Sequence, residues 1–152
     1  MAADCATTLG QISDKRLDPS MVGMVAGRVI KSPPSMEKWL QSAFGTLQCT
    51  AACATLDDGK KPPVTLEVDL LKAWMSSINT DIATNLVFKV RFVRANVVLK
   101  ENTYRGRDTS GNFASAQDEI QQDFDVSMSH VLDQVHHDLT ALCAAPAPAS
   151  PL

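Results

Sequence analysis

The side chains in this sequence with chemistry to offer are four cysteines, three histidines and two concentrations of charge. Cys5, Cys49, Cys53 and Cys143 are even in number and allow three fully paired connectivities. Cys49 and Cys53 stand four residues apart, which puts both sulfurs on one face of a helix or across a compact turn, so a local bridge is feasible. Cys5 falls in the first extended segment and Cys143 at the close of the last helical one, so a bridge between them would tie both ends together; closing so long a loop is worth about 4 to 5 kcal/mol in the chain-entropy picture. Four reduced, inert thiols are the alternative. Zinc is not expected, because structural sites draw on tighter Cys/His pairs and His130, His136 and His137 lie far from Cys49 and Cys53.

On a helix His130 and His137 return to nearly the same face, with Asp133 between them, but the adjacent His136 and His137 point about 100° apart and neither joins an apolar stripe. There is no zincin-type pair, so a solvated surface is expected there. Gly23-Met24-Val25-Ala26-Gly27 lacks the three-glycine dinucleotide fingerprint, and Asp57-Asp58-Gly59-Lys60 has no glycine at phosphate-loop spacing before it. No Gly-x-Ser-x-Gly elbow is present, and no cysteine has a histidine at a family spacing. The carboxylates Asp118, Glu119, Asp123, Asp125, Asp133 and Asp138 read as the wet side of one helix, with Asp118-Glu119 suiting its N-terminal dipole. The expectation is therefore a chain with no catalytic residues, no cofactor and no metal. Lys89, Arg91, Arg94, Arg105 and Arg107 form the one basic concentration. With Trp74 they are the candidate contact surface, pairing within the fold or between copies, or docking an acidic partner or anionic headgroups.

These side chains belong to a chain of 152 residues, 45% hydrophobic and 20% charged, with a net charge of -3. That length suits one domain, and the apolar share is enough for a core. The acidic balance argues against a general nucleic-acid binder. No stretch approaches the roughly 20 apolar residues of a spanning helix. The N-terminus Met-Ala-Ala-Asp-Cys has neither a basic nor an apolar export region, which leaves a cytosolic chain or one whose signal and any lipid anchor lay upstream.

Residues 6–12 read as a strand broken by Asp14 to Pro19, and 22–30 as a second extended piece in which two glycines permit a bulge. Ser32-Pro33-Pro34-Ser35 opens a helix carrying Trp39, Leu40, Ala43, Phe44 and Leu47. After the turn-rich 57–63, Val64, Leu66, Val68 and Leu70 alternate with polar residues through Trp74, a strand with one wet face. A second strand covers 83–99, and a third lies around Thr103–Arg107, followed by a turn over 108–112. From 115 to 142, Ile120, Phe124, Met128, Val131, Val135, Leu139 and Leu142 trace a single helical stripe. The Pro/Ala-rich segment 144–152 is expected to be an extended tail outside a single domain of residues 1–143. The fold class expected is α+β: an antiparallel sheet of two short N-terminal strands and a three-strand meander, packed against two helices with the longer at the C-terminus.

Asp14-Lys15-Arg16 with Val22-Gly23, then Ile30 and Ser32 ahead of Trp39-Leu40 and Leu47, are followed by Val64-Thr65-Leu66-Glu67-Val68, Leu86-Val87-Phe88-Lys89-Val90, Tyr104-Arg105-Gly106 and the helix Ile120 to Leu142. In this order they resemble the YajG-like group of bacterial envelope lipoproteins, related in form to auxiliary lipoproteins of envelope transport systems. The resemblance spans roughly residues 6–143. It implies a periplasmic or outer-membrane-associated protein, usually tethered through an N-terminal lipid, without enzymatic activity. Two departures are the four cysteines and the absence of an acylatable N-terminus. The expected function is a non-enzymatic envelope accessory or scaffold acting by contact with an envelope protein or with itself; the alternative is a carrier of a lipid or another hydrophobic ligand.

Overall fold

The computed structural model describes residues 5–25, 27–49, 62–78, 81–111 and 117–144. The elements are β1 (Thr7–Asp14), β2 (Met21–Val25), β3 (Arg28–Lys31), α1 (Met36–Gly45), β4 (Val64–Ile78), β5 (Asp81–Arg94), β6 (Val97–Gly111) and α2 (Gln117–Ala144). They build an α+β fold. The sheet runs β3-β2-β4-β5-β6, and β1 also pairs with β4. β1 and β2 share one side of β4, β1 along Val64–Leu70 and β2 at Met75 and Ser76.

Alternation decides which face is dry. Val64, Leu66, Val68 and Leu70 of β4 and Ile82, Leu86, Phe88, Val90 and Phe92 of β5 are fully buried. A bulge between Leu70 and Lys72 shifts the inward set of β4 to Ala73 and Met75, because one extra residue reverses the side on which every later side chain falls. Both helices lie on this one face. Phe44 of α1 meets Phe88 edge-on at 5.1 Å, and Ser127 of α2 is hydrogen-bonded at 2.6 Å to Thr84, four residues before Phe88 and so on its side of the sheet. α2 buries Phe124, Met128, Val131, Val135 and Leu139, the stripe read from its spacing.

At one point the helix backbone touches the sheet. A Cβ on Gly106 of β6 would stand 1.9 Å from the carbonyl oxygen of Ser127 and 2.9 Å from a Val131 methyl. Gly23 plays a similar part in β2. It sits at φ +143°, and a Cβ there would lie 2.0 Å from the Met75 carbonyl oxygen.

Several expectations are corrected in detail. The second extended piece is two strands, a hairpin turning before Arg28 with Gly27 at φ +76°. Antiparallel pairing holds for that hairpin and for the meander, but β1 and β2 each join β4 in parallel. The second and third meander strands meet at Ala95 and Asn96, both at positive φ, a tight hairpin that gives Val97–Lys100 to β6. Asp108–Gly111 belong to β6 rather than to a turn. Trp74 lies inside β4, which runs on to Ile78, and not near a strand end. Of the expected tail only Ala144, the last residue of α2, falls within the described residues.

Candidate functional site

With both described helices on one side, the other side of the β4-β5-β6 meander is covered by neither of them, and its cross-strand rows follow from the register. Glu67, Arg91 and Glu101 form one row; Asp69, Lys89 and Thr103 the next; then Lys72, Val87 and Arg105; then Trp74, Asn85 and Arg107. The first two rows are electrostatically closed. Arg91 holds Glu67 at 3.0 Å and Asp69 at 3.1 Å, and Lys89 holds Glu101 at 3.1 Å. The two carboxylates beside Arg91 hold its guanidinium firmly in the charged form.

The other two rows have a different character. Val87 is only 7% exposed although neither described helix lies on its side of the sheet, and Trp74 beside it is half-buried. Lys72, Arg105 and Arg107 are exposed and make no ion pair among the described residues. The Asn85 side-chain oxygen, between Trp74 and Arg107, is buried without a hydrogen-bond partner, a state that costs roughly 1–3 kcal/mol for an acceptor. The predicted basic set is thus divided. Lys89 and Arg91 are internally neutralised, Arg94 is spent on the Pro62 carbonyl at 3.1 Å, and Arg105 and Arg107 are left to face outward beside Trp74. Lys72, Val87 and Asn85 were missed in the sequence. The bulge that brings Lys72 into line with Val87 leaves no mark on the hydrophobic pattern.

The free edge of β6 beside this patch is blocked at its centre. Gln134 of α2 donates to the Arg105 carbonyl at 2.7 Å, and the His130 Nδ1–H donates to the Arg107 carbonyl at 3.0 Å. Edge carbonyls capped by side chains cannot template another strand. His130 therefore serves the edge of the sheet. His137 borders a shallow depression with Tyr104, Asp133 and Asp138, and among the described residues no three His, Cys, Asp or Glu side chains cluster to hold a metal.

The acidic face of α2 is less uniform than its sequence suggests. Asp123 is 6% exposed and accepts from the Ser110 hydroxyl, which is shared between its two carboxylate oxygens at 2.7 and 2.8 Å. Burial and the neighbouring Asp123 carboxyl push Asp108 above the usual carboxylate range. Asp138 accepts from Tyr104 at 2.5 Å and pairs with Lys100 at 3.2 Å; partial burial opposes its ionisation, but these partners outweigh it and leave the carboxyl below its usual range. Burial and the same carboxylate raise the Tyr104 hydroxyl. Asp125 accepts from Trp39 and Gln121. The side chains of Asp118 and Glu119 lie outside the described residues. Asp123, Asp138 and the Thr84–Ser127 pair act as clips between α2 and the sheet.

Two further features complete the surface. Cys5 and Cys143 are joined, with their Cα atoms 5.5 Å apart, and Cys49 is also disulfide-bonded; Cys53, its expected partner, lies outside the described residues. At the opposite end of α2 an apolar cleft of about 380 Å³ opens between the β2–β3 hairpin and the starts of both helices, lined by Val29, Ile30, Met36, Trp39, Ile120 and Phe124.

No family model matches the chain, and no curated protein matches it. Solved structures do. A lipoprotein from Neisseria meningitidis is 14% identical, covering 88% of this chain and 99% of that one at a TM-score of 0.39. A minor lipoprotein from Acinetobacter baumannii is 13% identical, covering 90% and 96% at 0.45. A Xanthomonas campestris protein of the DUF330 family is 12% identical, covering 94% and 93% at 0.46.

Proposed function

We propose that this chain is a non-enzymatic accessory or scaffolding protein of the cell envelope, which holds an acidic protein partner against the sheet face opposite its described helices. The observation that carries this reading is the pair of rows in which Trp74 and Val87 are ringed by Lys72, Arg105 and Arg107, with no acid to answer them among the described residues. An aromatic anchor with arginines at its margin is the composition of binding hot spots. The buried Asn85 oxygen without a partner adds an acceptor that an incoming donor would satisfy. Disulfides at Cys5–Cys143 and at Cys49 favour an oxidising compartment such as the periplasm. Among the described residues no helix is long and apolar enough to cross a membrane.

The test is photocrosslinking from position 74 in cells of the native host. A discrete crosslinked protein is expected, lost on Arg105→Glu with Arg107→Glu and retained on Lys89→Gln, which disturbs only a charge already paired. Crosslinks indifferent to the arginine reversals would refute the proposal.

A further inference from the structure

Two carboxyls meet at the seam between β6 and the first turns of α2. Tyr104, Gly106, Asp108 and Ser110 alternate on the side of β6 that α2 covers, and Asp108 stands opposite Thr84 of β5. Thr84 Oγ1 donates to the Asp123 carbonyl at 3.3 Å and lies 2.6 Å from Ser127 Oγ, while the Ser110 hydroxyl is held by the Asp123 carboxylate. These contacts set the Asp108 carboxyl against that of Asp123, which acts on it both as a charge and as a hydrogen-bonding partner.

No lysine or arginine pairs with either carboxyl among the described residues. On β5 the facing neighbours Ile82, Thr84 and Leu86 are neutral, and Asp81 alternates to the other face. On β6 Arg105 and Arg107 also alternate to the other face, and Tyr104 is bonded to Asp138. On α2 the His130 ring favours the charged form of Asp108 but is outweighed by burial and Asp123, and Asp125 is turned to the Trp39 indole. The side chains of Asp118 and Glu119 are outside the described residues; both are acids, and residues 112–116 bring no charge. Two facing carboxylates without a cation repel, so the first to be protonated hydrogen-bonds to the other. Loss of that proton turns the bond into a repulsion between strand and helix. The helix gives way on one side only. From Ser127 onward it lies directly on Gly106 and ends at the Cys5–Cys143 bridge, whereas its earlier turns rest on the Asp123 contacts and the Trp39–Asp125 bond. Those same turns supply Ile120, Gln121 and Phe124 to the wall of the apolar cleft.

We propose that Asp108 and Asp123 form a proton-operated latch: with a proton between them they fasten the first turns of α2 to β6, and without it those turns lift and the cleft they wall widens. The latch lies on the helix side of the sheet and is independent of the Trp74 face.

The experiment is amide hydrogen exchange of the full chain between about pH 5 and about pH 8, with rates expressed as protection factors so that the intrinsic pH dependence of exchange cancels. Protection of Gln121 to Val126 is expected to fall as pH rises, by roughly tenfold for each unit by which the folded Asp108 carboxyl titrates above an ordinary one, while Val131 to Leu139 keep theirs. Asp108→Asn retains shape and a donor for the Asp123 carboxylate, so it should hold the early turns protected at every pH. Glu119→Gln removes the neighbouring acid one turn away and should leave the pH dependence in place. Titration of the wild-type side-chain carboxyl carbons by nuclear magnetic resonance needs no variant: Asp123 should respond at the pH where Asp108 loses its proton. Early-turn protection indifferent to pH, a dependence that survives Asp108→Asn or is lost on Glu119→Gln, or Asp108 and Asp123 carboxyls that titrate without sensing each other would each overturn the proposal.

Discussion

Replacing Gly106 by alanine adds one methyl group at the point where α2 lies directly on β6. The new carbon would stand 1.9 Å from the Ser127 carbonyl oxygen and 2.8 Å from its carbonyl carbon; ordinary contact begins above 3.4 Å. The obstacle is backbone, so no rotamer change relieves it, and the helix must lift by more than an ångström. Around that point α2 is held by Thr84–Ser127 at 2.6 Å and by Ser110–Asp123 at 2.7 Å, and its far end is held by the Cys5–Cys143 bridge. Lifting it strains those bonds and loosens Val131 and Met128. Overpacking a core costs about 1–3 kcal/mol, and a rigid obstacle puts this substitution at the upper end. For a chain of this length that is a fall in Tm of roughly 6–12 °C. Thermal and urea unfolding followed by circular dichroism measure it. Gly45→Ala is the internal control: nothing lies within 4 Å of a Cβ there, and the last residue of α1 should gain a few tenths of a kcal/mol up to about 1 from the lost glycine freedom. A Gly106→Ala protein within about 0.5 kcal/mol of wild type, the range of an inconsequential surface change, would refute the close approach and the helix placement derived from it.

Cys5→Ser with Cys143→Ser opens a loop of 138 residues' separation and should lower stability by about 5 kcal/mol in the chain-entropy account, read as a drop in the urea midpoint; reducing the wild type, which also opens the bridge at Cys49, should lower it at least as far. Asp108 holds its proton more tightly folded than unfolded, so its stabilising contribution is complete below the ordinary carboxylate range and lost as pH rises through its elevated folded value; Asp108→Asn should therefore be more stable than wild type near neutral pH, with the advantage vanishing in acid. Asp14 and Asp138, held low in the folded state, act in the opposite sense, and their contributions are lost as pH falls; Asp138→Asn should flatten the acid limb of a pH–stability profile. Gln134→Ala uncaps the Arg105 carbonyl and should cost about 0.5–1.5 kcal/mol while raising light scattering at high concentration, as an edge strand becomes free to pair.

What was legible in the sequence was periodic. Alternation gave the dry face of β4 from Val64 to Leu70, and the three- and four-residue steps from Phe124 to Leu139 gave the buried stripe of α2. What stayed hidden was set by pairing across long separations. Nothing local in Thr7–Asp14 says that its neighbour is β4 or that the pairing is parallel. Ala95 and Asn96 at positive φ carry no glycine to announce a hairpin, so β5 read as running through to residue 99. The candidate surface was half visible. Arg105 and Arg107 stood out as charges, but the register that sets them beside Trp74, Val87 and Lys72 while giving Lys89 and Arg91 to acidic neighbours exists only in the assembled sheet. Asp123 looked like one more wet carboxylate because Ser110, its partner, was read as part of a turn.

The bridge between Cys5 and Cys143 also has a mechanical meaning. It joins the chain just before β1 to the end of α2, with 5.5 Å between the two Cα atoms. Tension applied through the backbone outside these two residues passes from one sulfur to the other and never reaches the sheet between them. The domain hangs from the load path as a closed loop: pulled from both ends it transmits force without unravelling, and only reduction of that bond would bring β1 and α2 under strain.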